Sequence, residues 1–181
     1  MRILIMVIIL ALASCNSGVK GKNGVVYKNA TEYNQYIMEN QKDIINVMLN
    51  FSKAISHDLD SADRVLDNGL ETARKALDNI KGMPPFRSDS AFRNAAINSF
   101  EFYQQILGNE YKKIVSIRRK GENKTEEDIL FLQTLPAAVG KREERYDRNF
   151  HNAQKEFAEN NNLTLVKNEL QDKIDKDDKK Q

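Results

Sequence analysis

Apolar residues recur along this chain at the three- and four-residue steps that line one face of an α-helix, and the pattern holds almost throughout. Tyr33, Ile37, Ile44, Met48, Phe51 and Ile55 form the first such stripe. They predict a helix over about 30–57, with Asn29 as cap and Glu32 three places on to close a capping box. Leu66, Leu70, Ala73, Leu77 and Ile80 predict a second helix, capped by Asp60 or Ser61. Lys81 and Gly82, followed by Pro84 and Pro85, predict its end through a basic last turn and a left-handed glycine. A third helix is expected after Ser88, carrying Phe92, Ala96, Tyr103, Leu107, Ile114 and Ile117, and ending at Arg118-Arg119-Lys120-Gly121. The fourth opens at Thr125 with Asp128 three later. It runs through Leu132, Leu135, Val139, Tyr146, Phe150, Ala153 and Phe157 to Asn160-Asn161-Asn162. Pro136 removes a backbone donor inside it, so a kink or break is expected near Thr134. Leu163–Val166 reads as a short extended piece, Lys167–Ile174 as a last helical turn or two, and 175–181 as a charged disordered tail.

Four amphipathic helices joined by short loops must bury their stripes against one another, and a period near 3.5 favours shallow crossings. The expected fold is all-α: an elongated antiparallel bundle spanning 30–174, with helices roughly 40 Å long at 1.5 Å per residue. Gly69, Gly108 and Gly140 fall inside these helices, each at a cost of about 1 kcal/mol relative to alanine. Close helix contact is the favoured reading of the three, local bending the alternative.

The one long apolar run that is not amphipathic lies at the start, Ile3 to Ala11 after Arg2. It is shorter than the roughly 20 residues a bilayer span takes, and it stops at small residues just before the only cysteine, as a cleaved segment does. Leu12-Ala13-Ser14-Cys15 resembles the lipobox of bacterial lipoprotein signals. That resemblance implies removal of residues 1–14 by cleavage between Ser14 and Cys15, and a diacylglycerol thioether on Cys15. Two or three acyl chains anchor a protein effectively for good, where one does so only marginally. Residues 15–29, with Gly18, Gly21 and Gly24, read as the lipidated Cys and a short flexible tether.

Phe92-Arg93-Asn94-Ala95-Ala96, Phe100-Glu101-Phe102-Tyr103, Phe157-Ala158 and Asn168-Glu169-Leu170-Gln171 resemble segments of a family of small helical surface lipoproteins of spirochaetes and Bacteroidota. The likeness covers about Tyr33 to Ile174. It implies location and fold only, because the family has no assigned activity. The acidic export signal that often follows the lipidated Cys in Bacteroidota is absent from Asn16-Ser17-Gly18-Val19-Lys20.

Charge changes the picture little. Charged residues make up 30% of the chain and the formal net charge is +2, far from the basic excess that nucleic-acid binding needs. With one Cys, committed to lipid, no disulfide is expected, and Cys-based haem attachment is excluded. Neither His57 nor His151 has Glu three residues before it, as a di-iron bundle requires. There is no phosphate-binding glycine fingerprint and no nucleophile elbow. Asp147 and His151, four apart, share a helix face and could move a proton, though a solvated surface pair is the plainer account. Lys112-Lys113 and Arg118-Arg119-Lys120 could touch anionic headgroups or form a solvated helix end. Phe92, Phe100, Phe102, Tyr103, Phe150 and Phe157 could line an apolar cleft or simply fill the core.

These readings together predict no enzyme, no cofactor and no metal. They predict a lipid-anchored protein of the cell envelope, at the outer membrane and facing the periplasm or cell surface. Its partners would be the membrane, through Cys15, and another envelope or host protein; the alternative is a ligand-binding lipoprotein with an apolar groove between helices.

Overall fold

A computed structural model describes residues 18–165. The chain opens with a hairpin in which β1 (Val19–Lys20) pairs antiparallel with β2 (Val26–Tyr27). The helices α1 (Ala30–His57) and α2 (Leu59–Lys81) follow. Next come α3 (Ala91–Ile106), a π-turn (Leu107–Tyr111) and α4 (Lys112–Arg119), which run on as one rod because the junction residues keep helical dihedrals. The chain of helices closes with α5 (Glu126–Asn160). This is an all-α bundle of four rods. The principal packing is α1 on α2, α2 on α3 and α3 on α5.

The helix ends follow local chemistry. Asn29 accepts the Glu32 N–H at 2.9 Å, and the Glu32 carboxylate reaches back one residue further than a standard capping box, accepting from the Lys28 N–H at 2.9 Å. Thr125 and Asp128 form the full reciprocal box. The cap of α2 is Asp58, not Asp60 or Ser61: its carboxylate accepts from the N–H groups of both. One residue therefore ends α1 and starts α2, and the two helices turn back to pack on one another.

Three other expectations are corrected. Of the kink or break expected near Thr134, the break does not occur: the last helix runs uninterrupted from 126 to 160 through Pro136. Gly82 is not a left-handed terminator but sits at φ −75°. The positive φ values after α2 belong to Arg87 and Ser88, in a tight turn closed by paired hydrogen bonds between Phe86 and Asp89. Nor is 20–28 a flexible tether. The hairpin turns at Gly24 (φ 81°) and docks on the end of α2, where the Lys22 N–H donates to the Gly82 carbonyl at 2.7 Å and Asn23 Nδ2 donates to the Asn79 carbonyl at 2.9 Å. A Cβ on Gly82 would lie 2.9 Å from the Asn23 nitrogen, so the contact requires glycine. The expected last turns over 167–174 and the tail over 175–181 lie outside the described residues, as do the signal segment and Cys15.

At the hairpin end, an aromatic cluster joins the hairpin, α1, the turn after α2, α3 and α5. Tyr27, Tyr33, Phe86, Phe92 and Phe157 are nearly excluded from water. Ring centroids lie 5.3 Å apart between Tyr27 and Tyr33 and 5.4 Å between Tyr33 and Phe157, spacings at which aromatic pairs add to simple burial. The Tyr33 hydroxyl donates to the Pro84 carbonyl at 2.9 Å, so the ring is buried without stranding its polar end.

Candidate functional site

The six aromatics of the third and fourth stripes are core: Phe92, Phe100, Phe102, Tyr103, Phe150 and Phe157 are all buried. Phe102 and Tyr103 occupy neighbouring directions because α3 is packed between α2 and α5. Phe102 stacks on Tyr146 of α5 at 4.5 Å, while Tyr103 points into a polar pocket.

That pocket gathers ionisable groups from α3 and α5. The Tyr103 hydroxyl lies 3.0 Å from Glu143 Oε1 and 3.1 Å from Asp147 Oδ1, two carboxylates one turn apart on α5. Burial, then the charges of Asp147 and Glu143, push the Tyr103 hydroxyl's pKa far up. Burial also raises the Asp147 carboxyl above its usual range, against the hydrogen bond from Tyr103, which lowers it. One hydroxyl carries one proton, so it donates to one carboxylate at a time. The second carboxyl shares the site best when it keeps its own proton and donates to the tyrosine oxygen.

One turn along, the π-turn brings Glu110 to Arg142 at 2.7 Å, and the Arg142 guanidinium also lies over the Phe102 ring. Glu110 Oε2 is buried with no hydrogen-bond partner. Tyr111, stacked on Phe51 at 4.7 Å, has its hydroxyl pushed up to about 12 by burial and by the charges of Glu143 and Glu110. Single π-turns inside helices often mark sites under functional constraint. Here the turn re-aims Glu110 and Tyr111 toward neighbouring rods. Sequence reasoning missed this group because Glu143, half-buried, and Asp147, exposed at its outer edge, lie beside the apolar stripe of α5 rather than on it.

Asp147 therefore engages Tyr103. His151 lies exposed on α5, and His57 is exposed at the end of α1. Among the described residues no group of three or more His, Cys, Asp or Glu could hold a metal ion.

The basic cluster has a use inside the chain. Lys112 pairs with Asp67 at 2.5 Å, Arg119 reaches Asp60 and Asp63 at 2.7 and 2.8 Å, Arg118 donates to the Ile55 carbonyl, and Lys120 pairs with Asp128 at 2.7 Å. Lys112 ties the start of α4 to α2, and the others staple the end of α4 to the α1–α2 turn and to the start of α5. Outside the Tyr103 pocket, α3 and α5 flank an open trough of about 560 Å³ lined by Asn98, Glu101, Gln105, Arg145 and Asn149 around Phe102 and Tyr146. Its lining is mainly polar. No helix among the described residues is long and apolar enough to cross a membrane.

Compared with known protein families, curated proteins and solved structures, the chain matches none.

Proposed function

We propose that this chain is a lipid-anchored protein of the bacterial outer membrane that acts by binding another envelope or host protein rather than by catalysis. The observation that carries the reading is the register of Leu12-Ala13-Ser14-Cys15 behind the apolar run from Ile3 to Ala11, because a lipobox needs both the small residues and the thiol in those slots. The docked hairpin gives the anchor a consequence. Cys15 and Gly18 are three residues apart, at most about 11 Å of chain, so lipid on Cys15 holds the hairpin end of the bundle against the bilayer. α1 is 28 residues long and carries the opposite end some 40 Å away. In this reading the bundle is a short post with exposed polar flanks. The trough between α3 and α5 is open and polar, which favours a hydrated protein contact over an apolar ligand.

Intact-mass measurement of the protein taken from its native membrane tests the anchor: the expected species begins at Cys15 and carries acyl mass, and Cys15→Ala moves the protein to the soluble fraction. A mature species beginning elsewhere, or lacking acyl mass, overturns the reading. His57→Ala and His151→Ala, both at exposed positions, are expected to leave partner capture intact. Loss of a turnover through either substitution, with helicity unchanged, would replace binding by catalysis.

A further inference from the structure

The first 31 residues of the chain carry no Asp or Glu, although the whole sequence holds 26 of them. Beyond Arg2, the basic residues of that stretch are Lys20, Lys22 and Lys28, all in the docked hairpin or one residue past it. From Glu32 onward acidic residues outnumber basic ones, so the chain's positive excess sits at one end of the post. The strand register fixes where it faces. Tyr27 is buried while its neighbour Val26 is 45% exposed, because successive side chains leave a strand on opposite sides. Lys20 is the cross-strand partner of Val26 and therefore projects with it, away from the bundle. Lys22 and Lys28 are exposed as well. Among the described residues none of the three forms an ion pair, whereas Arg119 and Lys120 at the opposite end are both paired with carboxylates of the chain. Carboxylates near the hairpin already have partners: Glu32 accepts from the Lys28 N–H at 2.9 Å, Asp89 from the Ala91 N–H at 2.8 Å, and Asp78 pairs with Arg74 at 3.8 Å.

We propose, on the premise of a lipid at Cys15, that the outer face of the hairpin, with Lys20, Lys22, Lys28 and Val26, is a contact surface for the anionic headgroups of the bilayer. Two or three acyl chains already retain a protein there, so what the hairpin adds is orientation. The short stretch between Cys15 and Gly18 by itself leaves the bundle free to tilt. Headgroup charge reaches out over a Debye length, about 8 Å at physiological ionic strength, and the hairpin is the described element nearest the anchor. Its lysines are drawn to that charge. A bundle lying on its side would instead press its net-acidic rods against the same negative surface. Attraction at the hairpin and repulsion along the rods both stand the post upright, with Val26 as a small apolar edge at the contact.

Two preparations test the contact separately from the anchor. The first is the lipidated protein in nanodiscs of phosphatidylcholine, with or without phosphatidylglycerol, in which acetylation of each lysine is followed by mass spectrometry. Phosphatidylglycerol is expected to slow the reaction of Lys20, Lys22 and Lys28 several-fold and high salt to restore it, while Lys53 and Lys141, exposed on α1 and α5, react alike in both. The second is the chain beginning at Asn16, which carries no lipid and retains every described residue. It is expected to bind vesicles that contain phosphatidylglycerol and not vesicles of phosphatidylcholine alone. Lys20→Gln and Lys28→Gln should each weaken that binding about fivefold, and Lys53→Gln should leave it unchanged, all at an unaltered melting temperature. Equal lysine rates in the two nanodiscs, protection centred on Lys53 or Lys141, or no preference of the Asn16 chain for phosphatidylglycerol would each overturn the proposal. Native protein without acyl mass would sink the anchor instead, and the vesicle measurement would still decide whether the hairpin binds headgroups.

Discussion

Tyr103 has a single proton to share between Glu143 and Asp147, and the consequence is a pH dependence with a definite sign. Burial raises the Asp147 carboxyl in the folded chain. A raised acid contributes stability below the unfolded value, about 3.9, and loses it as pH rises through the folded value. Asp147→Asn keeps an acceptor and a donor for the tyrosine but cannot ionise. Its melting temperature is therefore expected to match that of the unsubstituted protein near pH 3 and to exceed it once pH has risen through the raised value, after which the margin is constant; it stays small because water reaches the outer edge of Asp147. Parallel curves across that range would mean the contact carries no energy. Asp128 behaves oppositely. The hydrogen bond from Lys120, then the Thr125 N–H, hold its carboxyl low, so its contribution is present at neutral pH and lost as pH falls through the lowered value.

At the scale of elements, α5 tolerates Pro136 because the position faces water and packs against nothing in the core. The missing N–H still leaves the Leu132 carbonyl without its helical partner. Pro136→Ala is expected to stabilise the chain by about 1–3 kcal/mol, measured as a rise in the urea midpoint at unchanged slope. Gly82 is the opposite case: its helical φ accepts any residue, but the hairpin lies where a Cβ would be. Gly82→Ala should release the hairpin at a cost of about 1–3 kcal/mol, seen as faster tryptic cleavage after Lys20, Lys22 and Lys28. Cleavage at the unsubstituted rate would show that the docking is not tight. The three interior glycines divide in the same manner. A Cβ on Gly69 would overlap Val47 of α1, so close helix contact explains it. A Cβ on Gly108, in the π-turn, would lie 3.3 Å from Leu70, and one on Gly140 would meet nothing within 4 Å.

For the whole molecule, one buried core takes residues from the hairpin and from every rod, Tyr27 to Phe157 in chain order. Both ends are tied across rods, by the aromatic cluster at one and by Arg119 with Asp60 and Asp63 at the other. Such a chain has no boundary at which part of it could unfold alone. Starting at Asn16, it is expected to give a strongly helical circular dichroism spectrum and a single cooperative melt. A two-step melt would place a domain boundary inside the bundle.

The four stripes, the outer limits of α1 and α5, and the caps at Asn29 and Thr125 were legible in the sequence because each rests on residues within a few positions of one another: period, cap and stop are local. The character of Lys20–Lys28 was not. Three glycines among polar residues read as a tether, and only the end of α2, more than fifty residues away, gives that segment a surface to fold on. The Tyr103 pocket was hidden for the same reason. Glu143, Asp147 and Glu110 have the look of exposed helix charges until α3 and α5 lie side by side, and their environment, not their spacing, decides where the protons go. Basic residues near 118–120 pointed outward to a membrane or to solvent, whereas the crossing of α4 over the α1–α2 turn aims most of them at carboxylates and carbonyls of the chain itself. Periodicity determines which face of a helix is buried; what meets that face, and which polar groups are caught beside it, is decided by the packing of elements distant along the chain.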